Sequence, residues 1–275
     1  ITGAFTAVAK SAVFADCDVD AANLHLILNP EIKKSEKFTG GKVASINQKK
    51  CIKCGKCLYL CRFSAVKTIR TYDGKFKSIT IDNVSCEGCG VCVWNCPVNA
   101  IDFDKKLCGE IFVSDTRYGP FVHARLGIAE ENSGKLVTAV KQKAKEIAEK
   151  QKKDYVIIDG PPGTGCPVIA SLANVDIALI VTEPTVSGIH DMQRIIKLIR
   201  HFDIKAAVVI NKYDINVEKT VEIKKICKKE NLKVVACFPF SEKIIQAIVK
   251  RMPFTEFCDG PIMQEIFSLW EKISS

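Results

Sequence analysis

Short apolar runs alternate along this chain with longer segments whose apolar residues recur every three or four positions. Ala12 to Ala15, Tyr155 to Ile158, Ile177 to Val181, Ala206 to Ile210 and Lys233 to Cys237 are brief, nearly unbroken hydrophobic runs and predict buried strands. Between them, helical spacing predicts a helix over Thr2–Ala9, one starting near Ala21, one ending near Lys153, one over Gly188–His201 and a charged one over Glu218–Glu230. In the fourth of these, Ile189, Met192, Ile195, Ile196 and Ile199 share a side. Apolar strands separated by helices predict an α/β fold with a mostly parallel, doubly wound sheet covered on both faces. Each strand runs into a polar or Gly/Pro-rich loop, so one sheet edge collects Asp16, Asp18, Asp159, Asn211 and Pro239. Open parallel sheets bind their ligands at that edge. The Asp16-Cys17-Asp18-Val19-Asp20 stretch reads equally as an acidic turn capping the next helix. The Gly160–Gly165 loop after Asp159 could be a plain turn, although three glycines and two prolines directly after a carboxylate suit a metal or phosphate site better.

The alternation stops between residues 43 and 106. That stretch contains Cys51-x-x-Cys54-x-x-Cys57-x-x-x-Cys61 and Cys86-x-x-Cys89-x-x-Cys92-x-x-x-Cys96-Pro97. Three thiolates at this spacing converge on three corners of one iron–sulfur cube, while the fourth sits too far along to complete it and reaches across to another. Crossed ligation follows: Cys51, Cys54, Cys57 and Cys96 around one [4Fe–4S] cluster, and Cys86, Cys89, Cys92 and Cys61 around a second. Zinc prefers two separated pairs of ligands, and a disulfide framework suits a small secreted domain. The stretch resembles a bacterial two-cluster ferredoxin over about fifty residues. One departure is Arg62 after Cys61, where that family has proline; the change alters a turn and removes no ligand. A small α+β domain over 43–106, inserted between 1–42 and 107–275 of the sheet domain, is the expected organisation.

Composition narrows the setting. Of 275 residues, 47% are hydrophobic and 26% charged, which is ordinary for a globular protein, and no apolar run approaches the eighteen or so residues of a membrane span. Fourteen cysteines with no visible signal peptide point to a reducing cytoplasm, and oxygen-sensitive clusters to an anaerobe. The formal charge of +9 falls to roughly +5 once two cubanes with their thiolates contribute about −4. No nucleic-acid-binding module is recognisable. The lysine-rich run Lys141–Lys153 carries Val140, Ala144, Ile147 and Ala148 at helical spacing and reads as a solvated helix face. His25, His123, His190 and His201 share no ligand spacing, and Cys17, Cys108, Cys166, Cys227, Cys237 and Cys258 read as buried or incidental thiols.

Four segments, Phe14–Leu24, Val156–Gly165, Val181–Thr185 and Val209–Lys212, resemble in content and order the MinD/ParA-type deviant P-loop ATPases, and more narrowly those with a ferredoxin domain inserted after the second strand. The resemblance implies an ATP/ADP site with Mg²⁺. In it, Asp16 and Asp18 would lie in switch I, with Asp18 orienting the attacking water. Asp159 would hold Mg²⁺ through water, Gly160 to Gly165 would form switch II, and Asn211 with Phe238-Pro239-Phe240 would contact adenine. The phosphate loop G-x-x-x-x-G-K-[ST] is absent: Cys166 and Pro167 follow Gly165, and Ser133-Gly134-Lys135 lacks both the first glycine (Ala129) and the final Ser/Thr (Leu136). In the family that loop precedes the helix with which this chain begins, so the first strand and the loop are expected to be missing, leaving a sheet without a central strand. Residues 109–135 read as a surface loop with a Tyr118-Gly119-Pro120 turn, or as a source of Arg117 or Lys135 for a partner across a homodimer. Three functions are consistent with these features. The first is an ATP-gated electron-transfer protein with a redox partner; the second is an iron–sulfur cluster carrier or assembly ATPase; the third is a ferredoxin module on an inactive ATPase scaffold.

Overall fold

The computed structural model describes residues 1–127 and 133–274. The chain opens with α1 (Thr2–Val8), β1 (Ala12–Asp16) and α2 (Leu24–Leu28), then leaves along β2 (Glu31–Ile46). Next come α3 (Lys56–Leu60), the hairpin β3 (Val66–Arg70) and β4 (Phe76–Ile81), and α4 (Val91–Trp94). It returns along β5 (Ile101–Thr116) and β6 (Gly119–Leu126). The remainder alternates regularly: α5 (Ser133–Gln151), β7 (Tyr155–Asp159), α6 (Cys166–Leu172), β8 (Ile177–Thr182), α7 (Val186–His201), β9 (Lys205–Asn211), α8 (Val217–Lys229) and β10 (Lys233–Phe238). Helices α9 (Glu242–Val249), α10 (Phe254–Phe257) and α11 (Pro261–Ser274) close it. Two compact units result, one built on Ile1–Glu36, Ile111–Arg125 and Ser133 onward, the other on Lys37–Glu110.

In the first unit every residue of β1 is buried, as an apolar strand flanked on both sides requires. It pairs in parallel with β6 and β7, placing Asp16 opposite Asp159. The sheet order is β2-β5-β6-β1-β7, and β10-β9-β8 forms a second, wholly parallel sheet. Strands β7 and β8 are not hydrogen-bonded neighbours. Among the described residues three apolar clusters pack the unit. Phe14 and Phe121, both fully buried, pack with Leu24 and Leu28; each such phenylalanine contributes about 1.5–3 kcal/mol. Helix α1 lays Phe5 and Val8 against Val209, Phe238 and Leu269, and α7 with α8 covers the other face of β8 and β9. Helix α7 starts where Thr185 accepts a hydrogen bond from Gly188 N (2.9 Å), and α8 where Asn216 accepts one from Lys219 N (2.9 Å).

The predicted strands and long helices match to within a few residues, but three features differ. The helix expected from Ala21 begins only at Leu24 and has five residues, because Asp16 organises the intervening turn through its carboxylate. Residues 109–135 are not a surface loop: the described part consists of the end of β5, a turn at Arg117–Tyr118, β6 and the start of α5. Glu130-Glu131-Asn132, together with Ala129, lies outside the described residues. The sixteen-residue strands β2 and β5 were not anticipated, because strands interrupted by many charged residues lack an apolar signature.

In the second unit the two cysteine runs fold on one template. Residues 35 positions apart share left-handed backbone: Lys53 (φ 57°) with Gly88 (62°), Gly55 (79°) with Gly90 (77°), and Ser64 (52°) with Asn99 (50°). Gly55 and Gly90 each lead into a short helix, α3 and α4. At Gly88 a Cβ would stand 2.2 Å from the Lys42 carbonyl oxygen, so only glycine fits.

Candidate cluster centres and nucleotide-binding edge

In the second unit Cys51, Cys54, Cys57 and Cys96 line one recess. Cys61, Cys86, Cys89 and Cys92 line another. The folded chain thus brings Cys96 beside the first three cysteines and Cys61 beside Cys86, Cys89 and Cys92. Apolar Ile46, Ile79 and Ile101 wall the first recess, and Ala44, Val66 and Ile81 the second. Backbone N–H groups already point at two sulfurs: Lys53 N donates to Cys51 Sγ (3.4 Å) and Ala100 N to Cys96 Sγ (3.2 Å). Such bonds favour a charged sulfur.

The donor set fits an iron–sulfur core. Burial pushes the Cys57 thiol up to about 11, and Cys92 of the other recess adds to the shift, as do Cys51 and Cys54. Burial also raises Cys92, with Cys86 and Cys89 contributing. Thiols crowded this closely resist ionising unless a cationic group stands among them. Among the described residues no three His, Cys, Asp or Glu side chains converge as a single-ion site requires. Four sulfurs spread around each recess suit a cube with iron at its corners better than a lone zinc.

In the first unit the carboxyl ends of the strands bring Asp16, Asp159 and Asn211 to sheet edges. Asp16 is fully buried; its Oδ1 accepts from Asp18 N and its Oδ2 from Leu24 N, both at 3.1 Å. Burial, with Asp159 adjacent, pushes its carboxyl up to about 6. Its oxygens are thus committed to shaping the turn that presents Asp18. Burial also raises Asp18, and its neighbours Asp20 and Asp159 act in the same sense. Asp159 accepts from Thr2 Oγ1 (2.5 Å), and its carbonyl accepts from Cys17 N (2.8 Å). Gly160 opens the loop that leads into α6. On the other sheet, Asn211 Nδ2 donates to Glu183 Oε1 (3.2 Å), and Lys212 Nζ pairs with the same oxygen (2.7 Å). Pro239 is half-buried between buried Phe238 and exposed Phe240, whose N–H donates to Asp214 Oδ1 (2.7 Å). Arg117 pairs with Glu256 and lies over the Tyr118 ring. Ser133-Gly134-Lys135 forms the first turn of α5.

Sequence reasoning missed several of these partners. Glu183 was visible only as the end of a strand, and Thr2 only as a helix residue. Lys141 was assigned to a solvated face, yet its Nζ donates to the carbonyls of Ala170, Ser171 and Ala173 at 2.9, 2.7 and 2.6 Å. It thereby caps the C-terminus of α6, the helix that follows the Gly160–Gly165 loop.

Comparison with known proteins agrees with this division. Residues 44–103 match the model of a 4Fe-4S dicluster domain, and residues 133–274 match that of the NUBPL iron-transfer P-loop NTPase. An uncharacterized protein of Methanocaldococcus jannaschii is 38% identical over 204 residues, which are 74% of this chain and 68% of that protein. The iron-sulfur cluster carrier protein of Pyrococcus horikoshii is 27% identical over 155 residues, 51% of this chain and 52% of the carrier. The chain thus spans about half the carrier's length. In fold it is similar to the septum site-determining protein MinD of Pyrococcus horikoshii complexed with Mg-ADP. That match has a TM-score of 0.53 at 13% identity and covers 99% of this chain and 86% of that one. Among the described residues no helix is long and apolar enough to cross a membrane. The chain therefore belongs to the NUBPL iron-transfer P-loop NTPase family and is a MinD/ParA-type α/β protein with a ferredoxin-like 4Fe-4S dicluster insert.

Proposed function

We propose that this chain holds two [4Fe–4S] clusters and is an ATP-gated electron-transfer protein of the reducing cytoplasm. The observation that supports this most is the pair of recesses, each walled by four cysteines of a single chain. Eight ligands complete two cubanes and leave no open corner to share, which favours resident redox centres over transferable cargo. When bound, the clusters supply one-electron chemistry, while the protein sets access and potential. In this reading residues 43–106 are the cluster-bearing insert, with 1–42 and 107–275 forming the nucleotide domain. Asp159 holds Mg²⁺ through water, and Asp18 orients the attacking water at the end of β1, steadied by Asp16. Gly160 starts the loop that senses the γ-phosphate, and Asn211 and Pro239 flank adenine. Hydrolysis also needs a phosphate loop ahead of α1, so ATPase activity is expected only of a chain that carries one. A homodimer closing across nucleotide would relay its state to the redox partner.

A second reading, an iron–sulfur cluster carrier, is favoured by the 27% identity to a protein of that name. One experiment separates the two. The anaerobically reconstituted chain is assayed for iron and acid-labile sulfide, then incubated with an apo-ferredoxin and assayed again. About eight irons per chain, retained after incubation, support electron transfer. About four irons, lost to the acceptor, support the carrier.

A further inference from the structure

The two cysteine runs share a backbone template but carry opposite charge. Around the first recess stand Lys49, Lys50, Lys53 and Lys56. Their equivalents 35 residues on are Val84, Ser85, Gly88 and Val91. Conversely, Asn47 and Ile52 in the first run become Asp82 and Glu87 in the second. Four positive charges against two negative ones make a difference of six between matched frames (4 − (−2) = 6). Lys56 lines the first recess itself, and Glu87 the second. All four lysines are exposed, and among the described residues none has an ion-pair partner. Asn47 holds their turn in place: its carbonyl accepts from Lys50 N and Cys51 N, and its side chain from Lys49 N. The same run turns two large apolar side chains to solvent, Ile52 (61% exposed), which lines the recess, and Tyr59 (77%) on α3.

We propose that this run, which exposes Ile52, Tyr59 and the four lysines, docks an acidic one-electron carrier protein beside the cluster held by Cys51, Cys54, Cys57 and Cys96. The inference rests on the two-cluster reading. An apolar centre with a charged rim is the anatomy of a transient protein interface, and like-signed lysines steer an oppositely charged partner into it. The second run also exposes apolar side chains, Trp94 (73%) and Val84 (61%), but it carries Asp82 and Glu87 in place of the four lysines and would repel the same partner. In the docked complex the reduced carrier would give up one electron to the group that Cys51, Cys54, Cys57 and Cys96 would hold; no atom is transferred.

The test uses the full chain, reconstituted anaerobically and assayed for iron in each sample. The probe is a plant-type [2Fe–2S] ferredoxin, an acidic protein, titrated at low and high salt. The expected result is binding that weakens steeply with salt. The Lys49→Glu/Lys53→Glu/Lys56→Glu variant should bind at least tenfold more weakly. The variant Lys225→Glu/Lys228→Glu/Lys229→Glu on α8, equal in charge change, should differ less than twofold from the parent. Equal weakening by both variants, or salt-independent binding, overturns the proposal. So does a single-stranded DNA oligonucleotide that binds where the ferredoxin does not and is lost with the first variant, since the face would then serve nucleic acid. Iron well below eight per parent chain would instead sink the two-cluster reading, and the docking proposal with it.

Discussion

Gly88 is the position where the second cysteine run is most tightly fixed, and its replacement by alanine gives a quantitative test. Two costs arise there. A Cβ at φ 62° is in the left-handed region, which costs about 1–2 kcal/mol for any L-residue. That Cβ would also lie 2.2 Å from the Lys42 carbonyl oxygen, so the β2 backbone must retreat. Overpacking of that kind adds about 1–3 kcal/mol, for a total of roughly 2–5 kcal/mol. Gly74 provides the control. It sits at φ 80° in the β3–β4 turn with nothing within 4 Å of a built Cβ, so Gly74→Ala incurs the backbone cost alone. Lys53, the equivalent of Gly88, already bears a side chain at φ 57°, and Lys53→Gly should change stability by less than about 1 kcal/mol. The assay is anaerobic thermal melting, followed by loss of cluster absorbance, with iron per chain measured first. Gly88→Ala should melt well below Gly74→Ala and retain less iron, chiefly in the cluster of Cys86, Cys89 and Cys92. If the two variants melt together, the close approach to Lys42 does not exist and the template argument fails.

Three further predictions follow from the rest of the structure. Asp16, near 6 in the folded chain against about 4 unfolded, keeps a proton there that the unfolded chain has lost. Its contribution is complete below pH 4 and falls by about 3 kcal/mol as pH rises through 6 (two units at 1.36 each). His123, stacked among Phe112, Phe121 and His25, is pushed by burial down to about 4, so its contribution is present above pH 6.5 and lost as pH falls. In urea titrations of the apo-chain from pH 4 to 6.5, Asp16→Asn should expose a loss toward acid and His123→Phe a loss toward neutral pH. Lys141→Met strands the three α6 carbonyls and should cost about 3 kcal/mol by the same titration; an unchanged midpoint would mean the cap is ornamental. Lys56→Gln should lower the potential of one cluster, and Glu87→Gln should raise that of the other, each by roughly tens of millivolts in an EPR-monitored redox titration. Shifts in the opposite directions, or in the same cluster, would contradict the assignment.

The sequence was most informative where local chemistry and burial agreed. The five-residue strand β1 and the amphipathic α7 were legible because both are apolar in the pattern their packing needs. The grouping of the cysteines around two recesses was legible because ligand geometry constrains spacing more tightly than any propensity. The long strands β2 and β5 were not, since strands this rich in charge carry no periodicity that distinguishes them from loops. Partners brought together only by the tertiary fold were also invisible: Glu183 with Asn211 and Lys212, Lys141 with the end of α6, and Thr2 with Asp159. The matched left-handed positions at 53 and 88 hid because lysine fills one of them, so only the glycine of the pair hinted at the repeat.

The most direct measurement is EPR spin quantitation on the fully reduced, oxygen-free protein. Clusters tied together by crossed ligands would lie near one another, and Cys92 of one recess already acts on Cys57 of the other. The account predicts about two spins per chain in a spectrum broadened by their interaction, collapsing to one simple signal in a Cys96→Ala variant. A single unbroadened spin in the parent protein, or a colourless zinc-loaded chain with no signal at all, would contradict it.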